Sequence, residues 1–187
     1  MFPSQYGTHF AITAALELHP QIASVSAVCR VVLTAPVMAY VNRPKPKTGL
    51  EGKFSLQYTA ASALLDGKVG IRTFTDAHLA RPDMQDLLGK FEVRMDPTIP
   101  GRFEETHMLL RVELTDGRVL ETRCDGPRGK WGTPPISEAE HLVKVRDCLG
   151  TRLQPAAAER IIELARRVDD LDAAGMRQLV QLAGCFA

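Results

Sequence analysis

His9 follows Gly7-Thr8 at the start of an apolar, helix-like pattern. A histidine titrates near neutrality, so in that place it could move a proton or hold a carboxylate; a capping or partly buried structural histidine would look the same. Lys53, Ser55, Gln57 and Tyr58 put polar groups on or beside an otherwise apolar segment. Buried polar groups need partners in backbone, water or ligand. These four therefore form a structural network or, through Lys53 and Tyr58, face a substrate cleft. Arg128 and Lys130 lie in the loop DGPRGKWGTPP, residues 125–135. Two cations on a flexible backbone could clasp a carboxylate, although a solvated hairpin-to-helix connector is the plainer reading. His19, His78, His107 and His141 are isolated and carry no such expectation.

Other chemistries lack support. Gly126, Gly129 and Gly132 follow a hairpin rather than the strand-loop-helix context that phosphate loops require. No local signature supports a Ser/His/Asp or Cys/His nucleophile. Cys29, Cys124, Cys148 and Cys185 are scattered without C-x-x-C spacing, so metal or disulfide use is not expected and all four read as reduced, buried and structural. Asp169-Asp170 and Arg166-Arg167 read as a solvated helix end. The 187 residues are 24% charged and 45% hydrophobic with a net charge of +1. That describes an ordinary soluble globular protein, with no electrostatic case for nucleic acid or an acidic membrane surface as partner. No apolar run approaches the roughly 20 residues of a membrane span. The start, MFPSQYGTHF, lacks the basic and apolar parts of a signal peptide, so the expected location is cytoplasmic.

The elements that must position these groups follow from periodicity and punctuation. Residues 8–18 read as a helix stopped by Pro20. The valine-rich run 25–35 reads as a strand, and NRPKPK, residues 42–47, as a stiff basic connector. GLEGKFSLQYTAASALLDGKVG, residues 49–70, reads as one buried helix that enters at Thr48-Gly49, buries Phe54, Leu56, Ala60, Ala61, Ala63, Leu64 and Leu65, and stops at Asp66-Gly67. Residues 76–90 suggest short helices broken before Pro82, and 91–95 alternates at period two. Strands 108–114 and 118–124 flank Asp116-Gly117, a strong tight-turn signal. Ser137 with Glu140 makes a capping box ahead of helices at 138–149, 156–168 and 173–183. No βαβ alternation with phosphate-binding glycines is present, so a nucleotide-binding sheet is not expected. The expected fold is α+β: an antiparallel sheet with helices on one face, plait-like, over residues 1–135, then a helical tail over 136–187.

The order of the letters adds a family. KFSLQY followed by ALLDG resembles the MmgE/PrpD family, which contains 2-methylcitrate dehydratase, cis-aconitate decarboxylase and relatives that rearrange small polycarboxylates. MFPSQYGTHFAITAALEL resembles the start of that family's second domain, and DGRVLETRCDGPRGKWGTPPIS resembles its second hairpin, glycine loop and helix start. Three such pieces occur in the correct order. The resemblance implies a lid-like domain closing over a helical domain, with the active site between them. It implies cofactor-free proton chemistry: abstraction next to a carboxylate, then loss of water or carbon dioxide, or return of the proton on the other face.

On that resemblance Met1 stands where the lid begins. The chain is then expected to be the C-terminal part of such an enzyme, a fragment or a short gene product, and inactive by itself. The family's lid lysine would precede Phe2, and its histidine two residues beyond the proline corresponds to Gln5. A glutamine cannot shuttle a proton but can orient a carboxylate. His9 matches the Thr-His of the motif and is the leading catalytic candidate with Gln5; Lys53, Tyr58, Arg128 and Lys130 are the substrate-binding candidates. The expected partner is a small polycarboxylate in propionate-type metabolism, with homodimerisation through apolar stripes on the tail. The competing expectation is a non-catalytic binding or oligomerisation module.

Overall fold

The computed structural model describes residues 1–184 and divides the chain into two compact units, 1–136 and 137–187. In the first, helix α1 (Thr8–Leu18) precedes strand β1 (Val28–Ala35). Helices α2 (Gly49–Gly52), α3 (Leu56–Asp66), α4 (Asp76–Leu79) and α5 (Pro82–Gly89) follow. Strands β2 (Phe91–Met95), β3 (Met108–Leu114) and β4 (Val119–Cys124) complete the unit. The sheet order is β2-β1-β3-β4. Alternation puts Val31, Leu33, Ala35, Met108, Leu110, Val112 and Leu114 on one buried face, where Val31 pairs with Val112 and Leu33 with Leu110. Helices α1 and α3 pack together over that face, α1 against β3 and β4 and α3 against β2.

The antiparallel expectation holds for β1, β3 and β4. β2 instead joins the edge parallel to β1, with Val31 opposite Phe91 and Ala35 opposite Met95. A parallel pair needs a long crossover, and the four helices between β1 and β2 supply it. The opposite face is charged and self-neutralising. Arg94 and Arg30 hold the Glu92 carboxyl down at about 2, and Arg111 pairs with Glu113 and Glu121. These pairs are exposed and worth little each.

α3 is buried almost all round, which its composition permits. The hydroxyls of Thr59 and Ser62 donate to the carbonyls of Ser55 and Tyr58 at 2.8 Å, so no polar group is stranded. Gly67 ends the helix at φ +63°, a conformation glycine adopts without strain. The single helix expected from residue 49 is in fact broken. Ser55 takes extended backbone and its hydroxyl accepts from Tyr58 N at 3.0 Å, capping α3. Phe54 is left 38% exposed rather than buried, with the Arg43 guanidinium 5.3 Å from its ring centroid.

Two cysteine expectations are also corrected. The β1–β3 register shifts between Val28 and Arg30, and this bulge turns Cys29 and Arg30 to solvent together. Cys148 is exposed on α6 (Glu138–Leu149), Cys124 is buried, and Cys185 lies outside the described residues. Burial pushes the Cys124 thiol up to about 11, and the thiolate is the reactive form. A maleimide or iodoacetamide pulse at mildly alkaline pH should label Cys29 and Cys148 rapidly. Cys124 should label only after denaturation, as read from peptide masses. Fast labelling of Cys124 in the folded chain would contradict its placement.

The second unit contains α6, capped by Ser137 through reciprocal bonds with Glu140, then α7 (Pro155–Arg166) and α8 (Ala173–Gly184). Ala158, Ile162 and Leu164 of α7 are buried, and Arg146–Glu159 and Arg166–Glu138 pair α6 with α7. No described helix is long and apolar enough to cross a membrane.

Candidate functional site

The first turn of α1 is built by the residues before it. Gln5 O accepts from Thr8 N at 3.0 Å and from Thr8 Oγ1 at 2.7 Å, and Ser4 Oγ lies 2.9 Å from Thr8 Oγ1. The bond from Thr8 N meets one of the amide donors that a helix start would otherwise leave open. Gln5 N donates to Lys53 O at 3.0 Å, which stitches the N-terminal segment to the break between α2 and α3. The segment of Gln5 and His9 is therefore joined to that of Lys53, which is distant in sequence. His9 is 7% exposed and sits among rings, with Phe2 edge-on and Tyr6 tilted, each centroid at 5.3 Å. The Lys53 ammonium lies 5.7 Å from the Phe74 ring centroid.

Arg128 and Lys130 lie farther along α1. The Arg128 backbone N donates to Thr13 Oγ1 at 3.2 Å. Lys130 Nζ donates to the carbonyls of Glu104 and Asp125 at 3.3 and 3.4 Å and stands 5.8 Å from the Phe10 ring centroid. A cavity of about 460 Å³ opens between α1 and this loop, lined in part by Thr13, Leu16, Glu17, Arg128 and Thr133. Its polar walls are largely spent on the protein itself: Glu17 accepts from Thr122 Oγ1 at 2.8 Å and Thr133 Oγ1 donates to Lys130 O at 2.7 Å.

Tyr58 is placed differently from a cleft residue. It is fully buried; its hydroxyl donates to Thr73 O and lies 2.8 Å from His78 Nδ1. Burial pushes that hydroxyl up to about 12, so it stays a neutral donor. His78 Nε2 lies 2.6 Å from Asp66 Oδ2, and Arg81 Nη1 donates to Asp66 Oδ1 at 2.9 Å. Arg81 also pairs with Asp83, whose carboxyl it lowers. This Tyr58–His78–Asp66–Arg81 cluster escaped sequence reasoning because Tyr58 and Asp66 of α3 meet His78 of α4 and Arg81 ahead of α5 without a local spacing rule. Ser55 and Gln57 are structural in the same sense: Ser55 Oγ donates to Arg43 O at 2.7 Å and Gln57 Nε2 to Asn42 Oδ1 at 2.6 Å.

A family model described as the MmgE/PrpD C-terminal domain matches residues 2–170. Human cis-aconitate decarboxylase is 29% identical over 177 residues, covering 91% of this chain and 37% of that protein. The mouse cis-aconitate decarboxylase is 28% identical over 178 residues, covering 91% of this chain and 36% of that protein. The chain thus spans little more than a third of the length of these relatives.

Proposed function

The chain belongs to the MmgE/PrpD family through its C-terminal domain, and from that premise we propose that it forms one wall of a site for a small di- or tricarboxylate. The reaction is that of a lyase: either a proton is abstracted next to a carboxylate and a neighbouring hydroxyl leaves as water, as in 2-methylcitrate dehydratase, or carbon dioxide is lost and the carbon skeleton that keeps its electron pair takes up a proton. An isomerase that returns the proton to the other face would share the proton abstraction. His9 is the histidine of this wall and Lys53 supplies positive charge for carboxylates. The observation that carries the reading is the Gln5 N to Lys53 O hydrogen bond, which joins the segment of His9 to that of the lysine. Burial of His9 among aromatic rings supports it, since such chemistry gains from excluding water. Because the relatives are far longer than this chain, we further propose that the remaining acid and base groups come from sequence beyond it.

Incubation of the chain with cis-aconitate, 2-methylcitrate and citrate, followed by proton NMR of the acids and amide spectra of the protein, tests this. The expected result is saturable perturbation of residues around Thr8–Phe10 and Lys53 without consumption of any acid. Turnover by the chain alone would overturn the claim of incomplete machinery. A folded chain indifferent to all three acids would overturn the substrate class.

A further inference from the structure

We infer that Gln5 is the carboxylate anchor of this wall, binding through its side-chain NH2 and leaving proton transfer to other groups; the inference rests on the polycarboxylate reading above. The amide orientation is settled by its neighbour. Gly7 N lies 2.6 Å from the outer end of the Gln5 side chain, and a backbone N–H only donates, so the atom it meets is the oxygen, Oε1. The NH2 is then the remaining end of a planar group whose other end is tied down.

The rest of Gln5 is equally committed. Its backbone N donates to Lys53 O, and its carbonyl accepts twice from Thr8. The side chain packs against a glycine with no space to spare, since a Cβ at Gly7 would stand 2.5 Å from Met38 Cε and 2.9 Å from Gln5 Oε1. Gln5 is half-buried, and among the described residues no acceptor meets its NH2. A donor already fixed in place loses little rotamer freedom on binding. It can only donate, so its ligand must present an acceptor oxygen. Lys53, whose carbonyl accepts from Gln5 N, holds its ammonium 5.7 Å from the Phe74 ring centroid and pairs with no carboxylate among the described residues; a positive charge on the joined segment favours an anionic acceptor over a neutral carbonyl. Together these select a carboxylate.

The probe is tricarballylate, a tricarboxylate without a hydroxyl to eliminate, titrated into the 15N-labelled chain at constant ionic strength with chloride as control. The side-chain NH2 pair of Gln5, assigned by its disappearance in Gln5→Glu, should move saturably with tricarballylate and stay still with chloride. Gln5→Glu keeps an oxygen for Gly7 N–H but replaces the donor with a negative charge. Its thermal midpoint should match the parent while its affinity falls about tenfold or more. Movement at Thr8 and His9 with a stationary Gln5 NH2 would overturn the anchor and leave the polycarboxylate reading standing, as would unchanged affinity in Gln5→Glu. Silence across the whole spectrum would remove both.

Discussion

Gly49→Ala should destabilise the first unit by about 3 kcal/mol, the upper part of the usual range for overpacking. A Cβ there would stand 2.3 Å from Phe74 O, 2.5 Å from Phe74 C and 2.7 Å from Thr75 C. All three are backbone atoms, so no side chain can rotate out of the way. The contact is also pinned from the other side, because Gly49 N donates to Asp76 Oδ1 at 2.7 Å. α2 therefore sits on the backbone of residues 74–76 and cannot lift without losing that bond. Lys53, whose carbonyl holds Gln5, directly follows α2, so displacement there should also weaken polycarboxylate binding. Gly89→Ala is the control: its Cβ would meet nothing within 4 Å and its φ is not positive, so it should be neutral or gain up to about 1 kcal/mol. Urea midpoints with an unchanged m-value give the comparison. A loss below about 1 kcal/mol in Gly49→Ala would show that α2 has freedom these distances deny it.

The features legible in the sequence are those decided by a few neighbouring residues. α1 occupies 8–18 as its apolar spacing requires. Gly67 closes α3 in the left-handed region, Gly117 at φ +85° turns the β3–β4 hairpin, and Ser137 with Glu140 opens α6. The family was legible for a related reason. KFSLQY and ALLDG include Leu56, Tyr58, Ala63 and Leu64, which are fully buried, so these letters record how α3 packs rather than what the protein binds. The misread features depend on distant partners. Phe54 looks like a core residue by spacing alone; the cap at Ser55 and the Arg43 cation over its ring reassign it. Cys29 looks buried in a valine-rich strand until the bulge against β3 turns it out. The direction of β2 depends on which strand it meets at the sheet edge, which period-two alternation does not encode. Tyr58 reads as a polar group needing a partner, but the partners lie 15 and 20 residues away at Thr73 and His78. Once that hydroxyl is accounted for, Tyr58 belongs to the core.

Asp66→Ala should cost about 3 kcal/mol, the lower end for breaking a buried charge pair, because the Asp66 and His78 side chains retain 18% and 13% exposure. Both carboxylate oxygens are in use, Oδ2 toward His78 and Oδ1 toward Arg81, so the deletion deprives two donors of their acceptor. The Tyr58 hydroxyl donates to Thr73 O and lies 2.8 Å from His78 Nδ1, while Nε2 of the same ring lies 2.6 Å from Asp66 Oδ2. Tyr58→Phe removes the middle of that chain and should cost about 1–2 kcal/mol, with the Thr73 carbonyl and the His78 ring each losing a partner. His78 bridges the two sites, so the losses should not add. The double variant should fall short of the sum by about 0.5 kcal/mol or more, since the second change disrupts a ring already released by the first. Raised salt should shrink the Asp66→Ala loss only modestly, because screening acts weakly on partly buried pairs. Strict additivity of Asp66→Ala and Tyr58→Phe would mean that His78 transmits nothing between them, and that the Tyr58 hydroxyl holds the Thr73 carbonyl to α3 without help from the ring.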